Sequence, residues 1–414
     1  MRGDDPQLDD LAHKPSPPAR LLDVTRLLRR AGRVWTGVDR VELAYLDALV
    51  AEDVPVFGLA RTPLGYVLLD RRGLVGFRAR LDGTLPPSAP DLLSRLQRGM
   101  RDSARRALTD LRKLSVARCL PHGLPAMLAK QLPAGTAYLN TGHSNLSARV
   151  LRAVRRLPDA RIAVLVHDVI PLEYPHFQRA GTVEVFAQKM QRVREFADLL
   201  IYNSADTRTR TERAMAEWGS VPQGVVAHLG TVSPAPAPQD IPENLRPKEP
   251  YFVTVGTIEP RKNHALLLDV WDRMGPDAPE LFICGGRGWN NEAVFTRLDA
   301  LGDDARVKEV PGLSDGALAA LVQGAQGLLF PSHAEGFGLP AVEALLLGTP
   351  VLCSNIATFR EILANYAVYL DDSDREMWEA TVVGWSKQSR NMLRVEGFDA
   401  PEWVEHFKTV LSFT

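Results

Sequence analysis

The chain predicts an α/β protein of two doubly wound domains facing each other across a cleft, and three observations carry that prediction. Its 414 residues exceed what one ordinary core organises. Short apolar runs alternate with helical patterns, as parallel strands covered on both faces require. A stretch at 231–250 is rich in proline, which denies it both helix and central strand and makes it an exposed linker or long surface loop.

Hydrophobic residues make up 45% and charged residues 24%, as in globular chains, and the net charge of −1 creates no global field to recruit nucleic acid. Residues 1–20, rich in Asp, Pro and Lys, read as a disordered N-terminus without signal-peptide character. No apolar run approaches the roughly 18 residues of a membrane span. Cys119, Cys284 and Cys353 have no metal-ligand spacing; Cys284 and Cys353 sit in apolar runs and read as buried free thiols in a reducing compartment.

The first domain spans 21–230, with strands expected at 21–24, 55–58, 137–139, 162–166, 199–202 and 225–228. Residues 65–77 suggest a hairpin turning at Asp70-Arg71-Arg72-Gly73. An arginine-rich helical pattern spans 92–118, including Arg95, Arg98, Arg101, Arg105, Arg106, Arg112 and Lys113. It has two readings: a solvated helix face, or contact with an anionic lipid head group or charged acceptor.

The second domain, 251–390, places strands at 251–256, 281–285, 306–310, 327–330, 350–353 and 367–370. Helices are expected at 264–274, 291–300, 315–322, 341–347 and 360–363, and ligands bind at the carboxyl ends of such strands. A closing segment, 391–414, holds an amphipathic helix over 396–411 with Asp399 as cap and Pro401 in its first turn, able to pack back on the first domain.

The chemistry concentrates in two strings. Glu335-Gly336-Phe337-Gly338-Leu339-Pro340-Ala341-Val342-Glu343 sets two carboxylates eight positions apart around a glycine turn that opens a helix. A strand, such a turn and a helix start present free backbone N–H groups to an anion, while the acids suit sugar hydroxyls. That combination points to a nucleotide sugar. After the strand at 251–256 comes Gly256-Thr257-Ile258-Glu259-Pro260-Arg261-Lys262, whose adjacent cations suit phosphate neutralisation.

These strings, with the Gly285-Gly286 turn, resemble retaining glycosyltransferases of the GT-B fold, family 4, nearest to bacterial mannosyltransferases of O-antigen and exopolysaccharide synthesis. Thr36-Gly37-Val38-Asp39-Arg40-Val41 is similar to the glycine loop of that family, with one glycine where the family often has two. Val166-His167-Asp168-Val169-Ile170-Pro171 resembles its His-Asp segment.

The resemblance implies that Arg261 and Lys262 bind the donor diphosphate, that Glu343 holds the ribose and that Glu335 contacts the donor sugar. Gly37, Gly256, Thr257, Gly336, Phe337, Gly338 and Leu339 would complete the donor site. His167 would face the reacting sugar, through its carbonyl as much as its ring, and Asp168 would orient that segment or cap the turn. Catalysis would then fall to His167, Asp168, Glu335, Arg261 and Lys262. No cofactor or metal is expected. Asp372-Ser373-Asp374 reads as a helix cap, and Asn203 and Ser204 are open between phosphate contact and capping.

The implied activity is transfer of a hexose, most simply mannose from GDP-mannose, to a glycan or lipid-linked saccharide. The implied location is the cytoplasm, with peripheral contact at the inner face of the plasma membrane. A UDP-hexose or dTDP-rhamnose donor, a non-catalytic nucleotide-sugar-binding relative and an epimerase of the same fold are the alternatives.

Overall fold

The computed structural model describes residues 16–97, 99–247, 250–302 and 305–414. Two sheets organise them. The first holds β1 (Arg20–Asp23), β2 (Val56–Thr62), β3 (Gly65–Leu69), β4 (Ala117–Cys119), β5 (Ala137–Asn140), β6 (Arg161–Val166), β7 (Leu199–Tyr202) and β8 (Gln223–Val226). They lie in the order β4-β3-β2-β1-β5-β6-β7-β8, and only β3 is reversed, running antiparallel to both β2 and β4.

The second sheet contains β9 (Tyr251–Val255), β10 (Glu280–Cys284), β11 (Val307–Val310), β12 (Gly327–Phe330), β13 (Val351–Ser354) and β14 (Ala367–Leu370). It is wholly parallel in the order β11-β10-β9-β12-β13-β14. This is the 3-2-1-4-5-6 arrangement of a dinucleotide-type fold, whose crevice opens where the order reverses, between β9 and β12. The corresponding reversal in the first sheet lies between β1 and β5.

Most strands fall within a residue or two of their expected places because buried apolar runs leave little freedom of register. The hairpin expected over 65–77 is corrected. Only Gly65–Leu69 is strand; Asp70 accepts from the Gly73 N–H and caps a helix over Arg71–Leu81. Leu74 and Phe77, spaced for one helix face, are buried beneath it.

Within the expected disordered tail, residues 1–15 lie outside the described ones, but Arg20 belongs to β1 and bonds the Thr414 carbonyl at 2.9 Å. The 231–250 stretch forms only two short 3₁₀ turns among its described residues, and it is not wholly exposed. Ala237 N–H bonds the Gly316 carbonyl at 2.9 Å, and Ile241 and Leu245 pack on the core.

The basic pattern at 92–118 divides into helices Leu92–Arg95 and Asp102–Leu114. Several of its charges are engaged within the domain: the buried Arg112 holds Asp91, while at the surface Arg106 pairs with Asp102 and Arg95 and Arg105 reach backbone carbonyls. Arg98 lies outside the described residues. No helix among the described residues is long and apolar enough to cross a membrane.

The closing helix runs over Trp403–Leu411, later than expected, and neither Asp399 nor Pro401 opens it. The Pro401 carbonyl instead accepts the Thr231 N–H at 3.0 Å, which keeps that segment extended. Buried His406 then fixes the helix to the first sheet's layer. Its Nδ1–H donates to the Ala227 and His228 carbonyls, leaving Nε2 to accept from Tyr45 Oη at 2.8 Å. Burial pushes the His406 pKa from 6.5 down to about 4, although the carbonyl acceptors oppose the shift.

Between those values the unfolded chain binds the proton that the folded one refuses. The stabilisation from His406 is therefore complete above pH 6.5 and fades as pH falls toward about 4. The His406→Ala variant is expected to lose on the order of 2 kcal/mol at neutral pH. Denaturant midpoints measured across that range should decline less steeply in the variant than in the parent.

Candidate functional site

The cleft between the two sheets is lined by the loops after β1, β5, β6 and β7 on one side and after β9 and β12 on the other. At its centre a carboxylate is clasped by two cations. Glu335 Oε2 lies 2.6 Å from Arg261 Nη1, and Oε1 lies 2.6 Å from Lys262 Nζ. Arg261 also bonds Glu259 Oε1 at 2.7 Å and the Ala334 carbonyl at 2.8 Å. Lys262 Nζ sits 4.4 Å from the Phe330 ring centre. Two adjacent residues reach one acid because Pro260–Lys262 forms a 3₁₀ turn ended by Asn263 in the left-handed region.

Burial alone would raise the Glu335 pKa, but Arg261 and Lys262 outweigh it and hold the carboxyl at about 2. Burial works to lower both cations. In Arg261 it is overcome by Glu335, Glu259 and Asp168, so the guanidinium is pushed up; in Lys262 burial prevails and the ammonium is lowered. Glu335 is thus a fixed anion at any working pH, suited to positioning and not to donating a proton.

The glycine turn explains how the halves meet. Gly336 lies against the first domain: a Cβ there would stand 1.9 Å from the His167 carbonyl oxygen. Ser204 Oγ and Thr207 Oγ1 donate to the Gly336 carbonyl at 3.0 and 3.2 Å, while Asn203 Nδ2 donates to the His167 carbonyl at 2.9 Å. Gly338 then takes φ +95°, a left-handed conformation open to glycine, and starts the helix Leu339–Leu346 without a side-chain cap.

The loop after β6 contributes His167 and Asp168. His167 Nε2–H donates to the Thr141 carbonyl at 2.6 Å, and burial lowers its pKa to about 4, so the ring is neutral. Asp168 Oδ1 accepts the Ile170 N–H at 3.1 Å and caps its turn; burial raises its pKa, opposed by Arg261.

The structure brings His167, Asp168, Arg261, Lys262, Glu335, Gly336, Phe337 and Gly338 into one seam. Gly37 begins the Gly37–Ala51 helix and approaches Leu339 across the cleft. Gly256 backs onto Lys262, and Thr257 is exposed beyond it. Glu343 is on the same helix as Leu339 but is held by Arg40 from the first domain. Ser204 caps its helix through the Thr207 N–H and touches the other domain as well. Asp374 caps the helix Arg375–Ser386, while Asp372 binds His333 Nδ1 at 2.5 Å. Among the described residues, no group of three or more His, Cys, Asp or Glu is placed to hold a metal.

Sequence reasoning missed several participants. Glu259 and Arg40 stood inside strings already singled out, so charge beside the assigned residues was their available signal. Glu361 had none: it accepts the Ala205 and Asp206 N–H groups at 2.7 and 3.1 Å, capping a helix 156 positions away. Thr358, which donates to the Glu335 carbonyl and to Asp206, was equally silent.

Two domains of this kind, with a charged seam between facing strand ends, define the GT-B architecture. HepE of Anabaena, solved with UDP and glucose, superimposes with a TM-score of 0.57 at 14% identity, covering 95% of both chains. Sucrose-phosphate synthase of Thermosynechococcus elongatus gives 0.56 at 18% identity, covering 91% of this chain and 95% of that one. Residues 238–394 match the family model of glycosyl transferases group 1.

The serotype-specific mannosyltransferase WbdA of Escherichia coli is 32% identical over 230 residues, 52% of this chain and 28% of that protein. The O-antigen chain mannosyltransferase RfbU of Salmonella typhimurium is 29% identical over 223 residues, 53% of this chain and 59% of that protein. The chain therefore spans less than two thirds of the length of these relatives.

Because the Gly336 contact is backbone against backbone, Gly336→Ala cannot be relieved by a rotamer change. Circular dichroism of the variant should stay near that of the parent while its radius of gyration in solution scattering rises. Superimposable scattering curves would show that the seam tolerates the methyl group.

Proposed function

We propose that this protein is a retaining hexosyltransferase that takes its sugar from a nucleotide donor. Mannose from GDP-mannose, passed to a glycan or lipid-linked saccharide in bacterial surface polysaccharide synthesis, is the preferred reaction. The observation that carries the reading is the junction of Arg261, Lys262 and Glu335 at the strand ends of the region that matches the group 1 model, facing His167. The names of WbdA and RfbU support mannose.

In this reading Arg261 and Lys262 turn part of their hydrogen bonding from Glu335 to the donor diphosphate. Negative charge grows on that group as the glycosidic bond breaks, and preorganised cations lower the barrier most where charge develops. Backbone around Gly336, Phe337 and Gly338, at the start of the Leu339–Leu346 helix, adds N–H donors, and Gly37, Gly256, Thr257 and Leu339 shape the approach. Glu343 receives the ribose. Glu335, already ionised and pinned on both oxygens, orients donor hydroxyls and is not the nucleophile of a glycosidase-type displacement. The His167 carbonyl and the Asp168 turn present the acceptor side.

The acceptor lies over the first domain. Leu92 and Leu96, 78% and 73% exposed beside Arg95, give that domain an apolar edge suited to peripheral contact with the inner face of the plasma membrane.

Lys262 is buried, so its replacement by Ala would remove packing as well as charge. Lys262→Met keeps a side chain of similar length beside Phe330 and is the cleaner test. Because the variant also leaves one oxygen of buried Glu335 without its cation, its melting temperature should fall too. Assayed well below that temperature, where it is folded, turnover should still fall by on the order of 10²-fold, and turnover near that of the parent there would remove the diphosphate role. In a donor panel, GDP-mannose should raise the melting temperature of the parent and support transfer. Response to UDP- or dTDP-sugars alone would reassign the donor and leave the mechanism standing.

A further inference from the structure

The Gly37–Ala51 helix delivers one side chain across the cleft into the second domain. Arg40 Nη1 engages Glu343, and its Nη2 lies 3.2 Å from Asp315 Oδ1. Glu343 is the residue proposed to receive the ribose, and the role inferred for Arg40 rests on that reading. The guanidinium occupies the carboxylate that a pentose needs.

The surrounding space supports the same view. The cavity bounded by Arg40, Val255, Leu318, Pro340 and Glu343 has a volume of about 20 Å³. That is room for a water molecule, whereas pockets that hold small-molecule ligands start at roughly 300 Å³. On the other side of Arg40 an open groove of about 880 Å³ separates the Gly37–Ala51 and Trp403–Leu411 helices, with Asp47 and Glu52 on its wall. The long arginine side chain thus borders two spaces, one filled and one open.

The ion pair is suited to exchange. Arg40 keeps 30% of its side-chain surface and Glu343 16%, so water and salt weaken their attraction without abolishing it. Burial raises the Glu343 pKa, and Arg40 is the charge that opposes the rise.

We propose that Arg40 is an internal competitor for the nucleotide: it holds Glu343 and Asp315 and fills the nucleoside space until the donor's ribose displaces it toward the groove. Donor binding and the breaking of this interdomain ion pair then form one equilibrium. The donor's observed affinity is its intrinsic affinity reduced by the fraction of molecules in which Arg40 is engaged.

The test is titration of the full chain and its Arg40→Gln variant with GDP and with UDP, at low and at high salt. At low salt the variant should bind its preferred nucleotide about 2- to 5-fold more tightly than the parent, the ratio expected of a part-exposed ion pair. High salt should narrow that gap by screening the pair in the parent. Arg40→Lys, a compact charge unable to bridge two carboxylates, should fall between them.

Equal or weaker binding by Arg40→Gln at low salt overturns the competitor role and leaves the donor site intact. Glu343→Gln separates the two readings in the Arg40→Gln background, where no competitor remains and loss of the ribose acceptor alone should weaken binding. If it does not, or if neither nucleotide binds parent or variant, the donor reading falls and the competitor role falls with it.

Discussion

A carboxylate buried between two cations is the interaction on which the rest of this molecule depends. Removing an ion from water costs several kcal/mol even in a relaxed protein, and only close opposite charge offsets it. Glu335 therefore requires Arg261 and Lys262, Arg261 is shared with Glu259, and the Lys262 ammonium lies over the face of Phe330. The cluster is near electrical balance, so its cations can be shared with an arriving anion. Its donors are already largely removed from water, so an anion that reaches them meets little competing solvent.

The second constraint is contact between backbones. Gly336 touches the His167 carbonyl, its own carbonyl is held by Ser204 and Thr207, and Glu361 caps the helix that carries them. Chemistry-bearing loops of one domain are thereby hydrogen-bonded to those of the other. Any movement between the domains must alter the surroundings of Glu335, and any change at Glu335 must be felt at the seam. The Arg40–Glu343 pair belongs to this coupling, since its two partners come from opposite sides of the cleft.

Much of the fold was legible because its signals are local. Buried parallel strands read as short apolar runs, and β7, β12 and β14 stand at the residues expected. Where the sequence misled, a competing local bond prevailed: Asp70 caps a helix instead of turning a hairpin, and the Pro401 carbonyl joins Thr231 instead of opening the last helix. The candidate site was half legible. Arg261, Lys262, Glu335 and the glycine turn stand in compact strings, whereas Glu361, Thr358 and the tie of Arg40 to Glu343 have meaning only when distant segments meet.

By itself the sequence determined the two doubly wound halves, the alternation of strand and helix, and the residue types of the charged seam. Hydrophobic period and glycine placement act over a few residues, so they survive without knowledge of the rest of the chain. Only the tertiary structure decided which charge neutralises which, that Lys262 is buried, and that Arg40 reaches across the cleft to Glu343 and Asp315. Those outcomes depend on distances between residues up to 303 positions apart, and electrostatic energy follows distance in space, not along the chain.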